Sequence, residues 1–183
     1  MLKLSENPAI LSPEVRSLSE FEGTWWIAYT KARFEKALAW DLSNKKIGYF
    51  LPMREKVTFS GSRKRKVLLP LFTSYVFLCG TENDRYIAMK TNRICHTIEV
   101  KDQDRLINEL VSIEKALLNH VVIDNYTGFS IGTHCRITSG PMMGTEGTII
   151  ERMDAKARMV LEVTILGQGA LIEIDSDLLE TTS

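Results

Sequence analysis

The chain has 183 residues, 44% of them hydrophobic and 25% charged, enough for one ordinary domain or two small ones and too apolar for a wholly disordered polypeptide. Its formal charge is zero, but the charges are unevenly spread. Eleven Lys or Arg stand against three acids from Lys31 to Lys66, and eight acids against three bases from Glu146 onward. Such asymmetry points to two modules with different partners.

Residues 1–23 contain Pro8, Pro13 and scattered Ser and Glu without a period, and read as an extension that is loose or wraps a neighbour. Thr24 to Thr30, TWWIAYT, is a β-rich apolar run. Phe34, Ala37, Leu38, Asp41 and Leu42 then recur at helical spacing, and Gly48 ends that helix or opens the next turn. Tyr49 to Phe59 is extended, broken near Pro52 and then alternating. Ser60-Gly61-Ser62 is a turn signal, so a hairpin is expected whose tip and return strand carry Arg63, Lys64, Arg65 and Lys66.

Val67 to Cys79, VLLPLFTSYVFLC, reads as a central strand covered on both faces, with Pro70 at a bend or at the strand's start. A buried strand joined to a basic turn is either a scaffold presenting charge to a polyanion or a core strand with a solvated end. Asn83 or Asp84 can cap a short helix through Tyr86, Ile87 and Met89, and Ile94 to Val100 is a further strand. Asp102 caps a longer helix with Leu106, Leu110, Ile113 and Leu117 in one stripe. This order predicts an α+β domain over residues 24–118, an antiparallel sheet with flanking helices. Residues 119–128 lack a period and read as a linker. Residues 129–183 offer short strands at His134–Ile137, Gly147–Arg152, Met159–Leu166 and Ala170–Ile174, with Gly- and Pro-containing turns, which predicts a small all-β barrel.

Catalysis is not expected: no phosphate loop, paired carboxylates at helical spacing or nucleophile context occurs. Cys79, Cys95 and Cys135 fit neither a disulfide framework nor a zinc site, and His134 would point away from Cys135 on a strand, so neither metal nor cofactor is expected. No apolar run reaches membrane-spanning length and no signal-peptide pattern is present, so a cytoplasmic protein without a membrane partner is expected. Binding has more support. Arg63 to Lys66 with Lys31, Arg33 and Lys36 form either a patch for a nucleic-acid backbone or a solvated face. Trp25, Trp26, Tyr29, Phe72, Tyr75 and Phe77 either line a groove for a partner helix or pack a core, and most should be core.

WWIAYTKARFEKALAWDL, PLFTSYVFL at Pro70–Leu78, GTHCRITSGPMMGTEGTIIE at Gly132–Glu151 and TILGQGALIEIDSDLLE, in this order and spacing, resemble the NusG-type transcription elongation factors. The resemblance implies an NGN domain followed by an SH3-like KOW barrel, acting as a monomer without catalysis. It implies that the first domain grips the clamp helices of RNA polymerase's largest subunit through Phe72 and Tyr75, with Leu71 and Trp26 beside them. The hairpin around Gly61 would face the other side of the cleft or the DNA near the transcription bubble, where the charges of Arg63–Lys66 make physical sense. The KOW barrel would recruit a ribosomal protein or a termination factor through Met142, Ile165, Leu166 and Gln168. Thr73-Ser74 where general members have Pro-Gly, and Gln168 where they have Arg, look like the specialised RfaH- or UpxY-like paralogues, operon-specific antiterminators of polysaccharide gene clusters. A general elongation or termination factor, a stand-alone nucleic-acid-binding KOW protein and a translation-linked KOW protein working on the ribosome are the competing readings. The β-branched residues of Met159–Leu166 argue against a helical alternative state of the barrel.

Overall fold

The computed structural model describes residues 6–13, 17–60, 63–127, 132–153 and 155–182, without the side chains of Ser60 and Arg63. The chain divides into two compact units, Met1–Gln103 and Asp104–Ser183.

The first unit runs β1 (Leu11–Ser12), β2 (Thr24–Thr30), α1 (Glu35–Asn44), β3 (Gly48–Phe50), β4 (Met53–Ser60), β5 (Arg63–Pro70), β6 (Tyr75–Gly80), α2 (Glu82–Met89) and β7 (Ile94–Glu99). Five strands form one antiparallel sheet in the order β1-β3-β6-β2-β7, while β4 and β5 pair with each other as a separate two-stranded ribbon. The Val67–Cys79 run is therefore not one strand. Pro70, with no amide hydrogen, ends β5. Ser74 at φ +67° turns the chain, and β6 starts afresh in the middle of the larger sheet. Helix α2 also starts differently: Thr81, not Asn83 or Asp84, is the N-cap, and Asp84 closes a reciprocal capping box with it.

Strand alternation sends Trp26, Ala28, Tyr49, Val76 and Leu78 to the side of the sheet where Leu38, Ala39 and Leu42 of α1 and Ala88 of α2 complete one buried cluster. Each fully covered leucine there contributes about 1.5–3 kcal/mol. On the opposite side Trp25, Ile27, Phe50 and Phe77 are also buried. Beyond the end of β7, the Gln103 side chain takes over as a ladder partner. It accepts from the Trp25 N–H at 2.8 Å and donates to the Trp25 carbonyl at 3.0 Å.

Burial pushes the Tyr49 hydroxyl and the Cys79 thiol each up to about 12. Both groups fold in their neutral forms, and Tyr49 donates to the Ala9 carbonyl at 3.1 Å. Values raised in the folded chain mean that their stabilisation is complete below the unfolded values, about 8.5 for Cys and 10 for Tyr. It is lost as pH climbs toward about 12. A urea midpoint that falls above about pH 9 is the expected outcome, and Cys79→Ala with Tyr49→Phe should flatten the decline.

In the second unit, α3 (Gln103–Leu118, its first residue at the unit boundary) buries Leu106, Leu110, Ile113 and Ala116. Strands β8 (Ile123–Thr127), β9 (Thr133–Ile137), β10 (Glu146–Arg152), β11 (Lys156–Val163), β12 (Gln168–Asp175) and β13 (Leu179–Thr181) form a six-stranded antiparallel sheet in the order β13-β9-β10-β11-β12-β8. Cys135, Ile137, Met159, Val160, Val163, Ala170 and Ile172 fill its core. Two strands go beyond the sequence expectation. Strand β8 lies inside the segment read as a linker, because pairing with β12 overrides the poor strand propensity of Asp124-Asn125. Strand β13 is only three residues long and pairs with β9. Strand β11 stops at Val163, and Thr164–Leu166 form a 3₁₀ turn closed by Gly167 at φ +59°, a conformation that favours glycine. No helix among the described residues is long and apolar enough to cross a membrane.

Candidate functional site

Four residues were expected to meet the clamp helices, and the fold separates them. Trp26 points to the α1–α2 side of the sheet, where it is nearly covered and the Arg85 guanidinium carbon lies 6.0 Å from its ring centroid. Leu71 and Phe72 sit in the loop between β5 and β6, and each is 1% exposed. Phe72 stands edge-on to Phe77 at 6.0 Å, and Phe77 in turn lies 6.2 Å from Phe50. Tyr75 alone remains half-exposed.

Tyr75 belongs to a row that the one-dimensional reading missed. The register sets Tyr29 of β2 directly opposite Tyr75 of β6 on one side and opposite His96 of β7 on the other. The ring centroids are 5.3 Å apart for Tyr29–Tyr75 and 5.0 Å for Tyr29–His96, distances at which aromatic pairs attract. Three rings on three neighbouring strands thus line the edge of the face opposite α1 and α2, with Tyr29 half-exposed and His96 exposed. Only strand pairing brings these positions together. The available sequence signal was that Tyr29 is the last aromatic of the β-rich apolar run Thr24–Thr30.

The loop beneath the row is held tightly. Glu35, at the start of α1 and almost fully buried, accepts from the Ser74 N–H at 2.7 Å. The Thr30 N–H donates to the Ser74 carbonyl at 2.8 Å, and the Leu71 N–H to the Pro52 carbonyl at 2.8 Å. Ser74 thus occupies a left-handed conformation, which costs a non-glycine residue roughly 1–2 kcal/mol, and the Glu35 carboxylate offsets that cost. Glu35→Ala is expected to destabilise the first unit by about 1–3 kcal/mol in urea. Ser74→Gly should be neutral or stabilising by up to about 1 kcal/mol.

The basic residues also divide. In β5 successive side chains alternate, so Arg65 lies on one face of the ribbon and Lys64 and Lys66 on the other. Lys64, Arg65 and Lys66 are exposed, and Lys66 pairs with Glu55 at 2.9 Å. Gly61 and Ser62, the expected tip, lie outside the described residues. Lys31 and Arg33 are exposed in the β2–α1 loop, where Lys31 donates to the Asn92 side chain at 3.1 Å. Lys36 is unavailable to a phosphate. Its ammonium donates to the Asn7 side chain at 2.5 Å and the Leu68 carbonyl at 2.6 Å, and burial lowers its pKa. Between α1 and α2 lies a cleft of about 410 Å³ lined by Asp41, Lys45, Ile87, Lys90, Thr91 and Arg93. Arg93 there pairs with Asp41 at 3.1 Å and covers the Phe34 ring.

In the second unit, Met142 is 2% exposed and its neighbour Met143 is 64% exposed, so Met143 is the methionine that this turn offers to solvent. Ile165, Leu166 and Gln168 lie at the 3₁₀ turn, at least partly exposed. That turn is tied to α3: Glu109 accepts from the Thr164 N–H at 3.1 Å and hydroxyl at 2.6 Å, and Arg105 donates to the same hydroxyl at 2.8 Å. The chain offers an aromatic row, a cationic ribbon and a pinned turn.

A family model described as transcription termination factor NusG matches residues 23–116. Among solved structures, one described as "Domain interaction in Thermotoga maritima NusG" aligns with a TM-score of 0.53 and 20% identity, covering 88% of this chain and 98% of that one, which shows a shared fold. A second, "Crystal Structure of MjSpt4:Spt5 complex conformation B", aligns with a TM-score of 0.27 and 16% identity over 87% of this chain and 97% of that one, and at that score it carries no argument. No curated protein matches.

Proposed function

The chain belongs to the NusG family, with the family match spanning residues 23–116, and from that premise we propose that it binds RNA polymerase during elongation and suppresses pausing and termination. The observation that carries this reading is the Tyr75–Tyr29–His96 row, left accessible on a sheet whose other aromatics are largely buried. Rings of this kind suit the grip on a pair of amphipathic helices such as the polymerase clamp. Tyr75 makes the direct contact in this scheme, with Leu71 and Phe72 supporting it from below and Trp26 holding α2 behind the sheet. Binding across the clamp favours its closed state over the states that pause. That is a population shift obtained by differential affinity, and it needs no catalytic group.

Lys31, Arg33 and Arg63–Lys66 meet phosphates of the nucleic acid near the bubble. The functional division is an NGN domain at 24–118, a linker at 119–128 and a KOW barrel at 129–183. Assigning α3 to the first domain is supported by the family match, which runs to residue 116. The barrel recruits a ribosomal protein or a termination factor through Ile165, Leu166 and Gln168, with Met142 setting the turn that exposes Met143. The protein works in the cytoplasm as a monomer.

The specialised, operon-specific role is favoured by Ser74. At this position a left-handed backbone would ordinarily select glycine, and a buried Glu35 has been placed to hold it. The test has two arms. Core RNA polymerase should be retained by the immobilised chain, and pause duration should shorten when the chain is added to a transcribing complex. Absence of both effects overturns the reading. Transcript sequencing after deletion should show a defect confined to one long operon, whereas a genome-wide change would assign the general role.

A further inference from the structure

The segment that precedes the first long strand is tied to both strands of the β4–β5 ribbon at their roots. Residues 7–10 lie outside the family match, which begins at residue 23. The Ile10 carbonyl accepts from the Leu51 N–H at 2.6 Å, two residues before Met53 opens β4. Pro52, between them, accepts from the Leu71 N–H just past the end of β5. A second tie runs through α1. The Lys36 ammonium donates at once to the Asn7 side chain and to the Leu68 carbonyl of β5. Beneath these ties Ile10 and Leu68 pack against the same buried cluster, of which Met53 is a member. Pro8 is itself buried, and the Tyr49 hydroxyl holds the Ala9 carbonyl.

The ribbon needs such support. Among the described residues it pairs with neither larger sheet, and two strands alone are marginally stable. Phe59 stands six residues beyond Met53, about 20 Å along the strand, so a swing of about 15° at the root displaces it by about 5 Å. A lysine held in one geometry gives up roughly 2 kcal/mol of rotamer entropy, a loss that a freely solvated position on α1 would not impose. We propose that residues 7–10 are a brace that sets the direction in which the ribbon projects, with Asn7 and Lys36 as its positioning residues. This rests on the reading of the ribbon as a nucleic-acid contact. The brace keeps the ribbon's cations aimed while the aromatic row holds polymerase. It acts on direction, since β3, β6, β2 and β7 pair with one another without it.

The test reads a distance. Cys79 and Cys135 are buried and Cys95, on β7, is exposed, so one nitroxide label goes on Cys95 and a second on the outer ribbon in a Phe59→Cys chain. Double electron–electron resonance on the labelled full chain should give a single narrow distance distribution. Adding Lys36→Met, which keeps the stem and deletes the ammonium, should widen it about twofold or move its centre by about 5 Å. Asn7→Ala leaves the Leu68 bond in place and should widen it less. Lys36→Arg should bring back most of the narrow distribution, because a guanidinium can serve both acceptors. Lower stability alone leaves the distances within folded molecules unchanged.

A broad distribution in the labelled chain before either substitution overturns the proposal. So do unchanged distances in both Lys36→Met and Asn7→Ala. Without labels, the same two variants should retain core polymerase as the parent does and lose part of its shortening of pauses. Parent-like pause shortening together with widened distances overturns the proposal as well, because the ribbon's direction would then be immaterial. A parent that shortens no pauses removes the elongation reading, and the distances alone then decide the brace.

Discussion

Phe72→Ala is expected to cost the first unit about 3–5 kcal/mol, the range for deleting a fully buried phenylalanine. Phe72 packs edge-on against Phe77, which continues the stack to Phe50, so the cavity would open beneath the loop that carries Leu71 to Ser74. Polymerase retention would fall in such a variant as well, but through loss of the folded chain and not through loss of a contact. Urea unfolding monitored by tryptophan fluorescence checks this, and Phe72→Leu should recover most of the loss. A stability within about 1 kcal/mol of the parent, a bound typical of surface substitutions, would mean that the ring is not packed as described.

Tyr29→Ala combined with Tyr75→Ala should show the opposite balance. Both side chains are half-exposed, so folding should suffer little, about 1 kcal/mol for each ring pair lost. Polymerase affinity, by contrast, should fall about 100-fold, since two aromatic anchors at the centre of an interface commonly carry most of its binding energy. Titration of core polymerase against the labelled chain provides the measurement. Unchanged affinity in a folded double variant would remove the aromatic row from the interface. The pair of experiments separates a support from a contact, which one buried and one half-exposed aromatic in the same short segment would otherwise confound.

Much of the fold was legible because its elements follow their periods. The alternation in β4, the helical spacing of Leu38 and Leu42, and the stripe of Leu106, Leu110 and Ile113 all lie where simple patterns put them. The α+β arrangement and the β-rich second half followed from element order. The misses have specific causes. An apolar run gives no period of its own, so the turn at Leu71–Ser74 inside Val67–Cys79 was invisible, although Pro70 marked its beginning. Thr81 outranked Asn83 because capping depends on which hydroxyl faces the third amide, and Asp84 supplied the reciprocal bond.

The site was harder to read, since sequence distance says nothing about registry. Tyr29 and His96 are 67 positions apart, and antiparallel pairing alone stacks their rings. The adjacent charges Lys64, Arg65 and Lys66 looked like one patch in the chain, whereas a period of two assigns them to two faces. The two neighbouring methionines, Met142 and Met143, differ wholly in exposure for lack of any pattern in a short turn.

The ribbon's anchorage has a kinetic corollary. Its base is fastened, with Lys36 gripping the Leu68 carbonyl and Val67 and Met53 covered, while residues 55 to 59 and 64 to 66 reach out with mostly bare side chains. Backbone amides in the outer half should trade hydrogen for deuterium orders of magnitude faster than those of β6, which sits mid-sheet. Occupancy of the arm by a polyanion should slow that trade there first, so a deuterium label would time the arrival of such a partner.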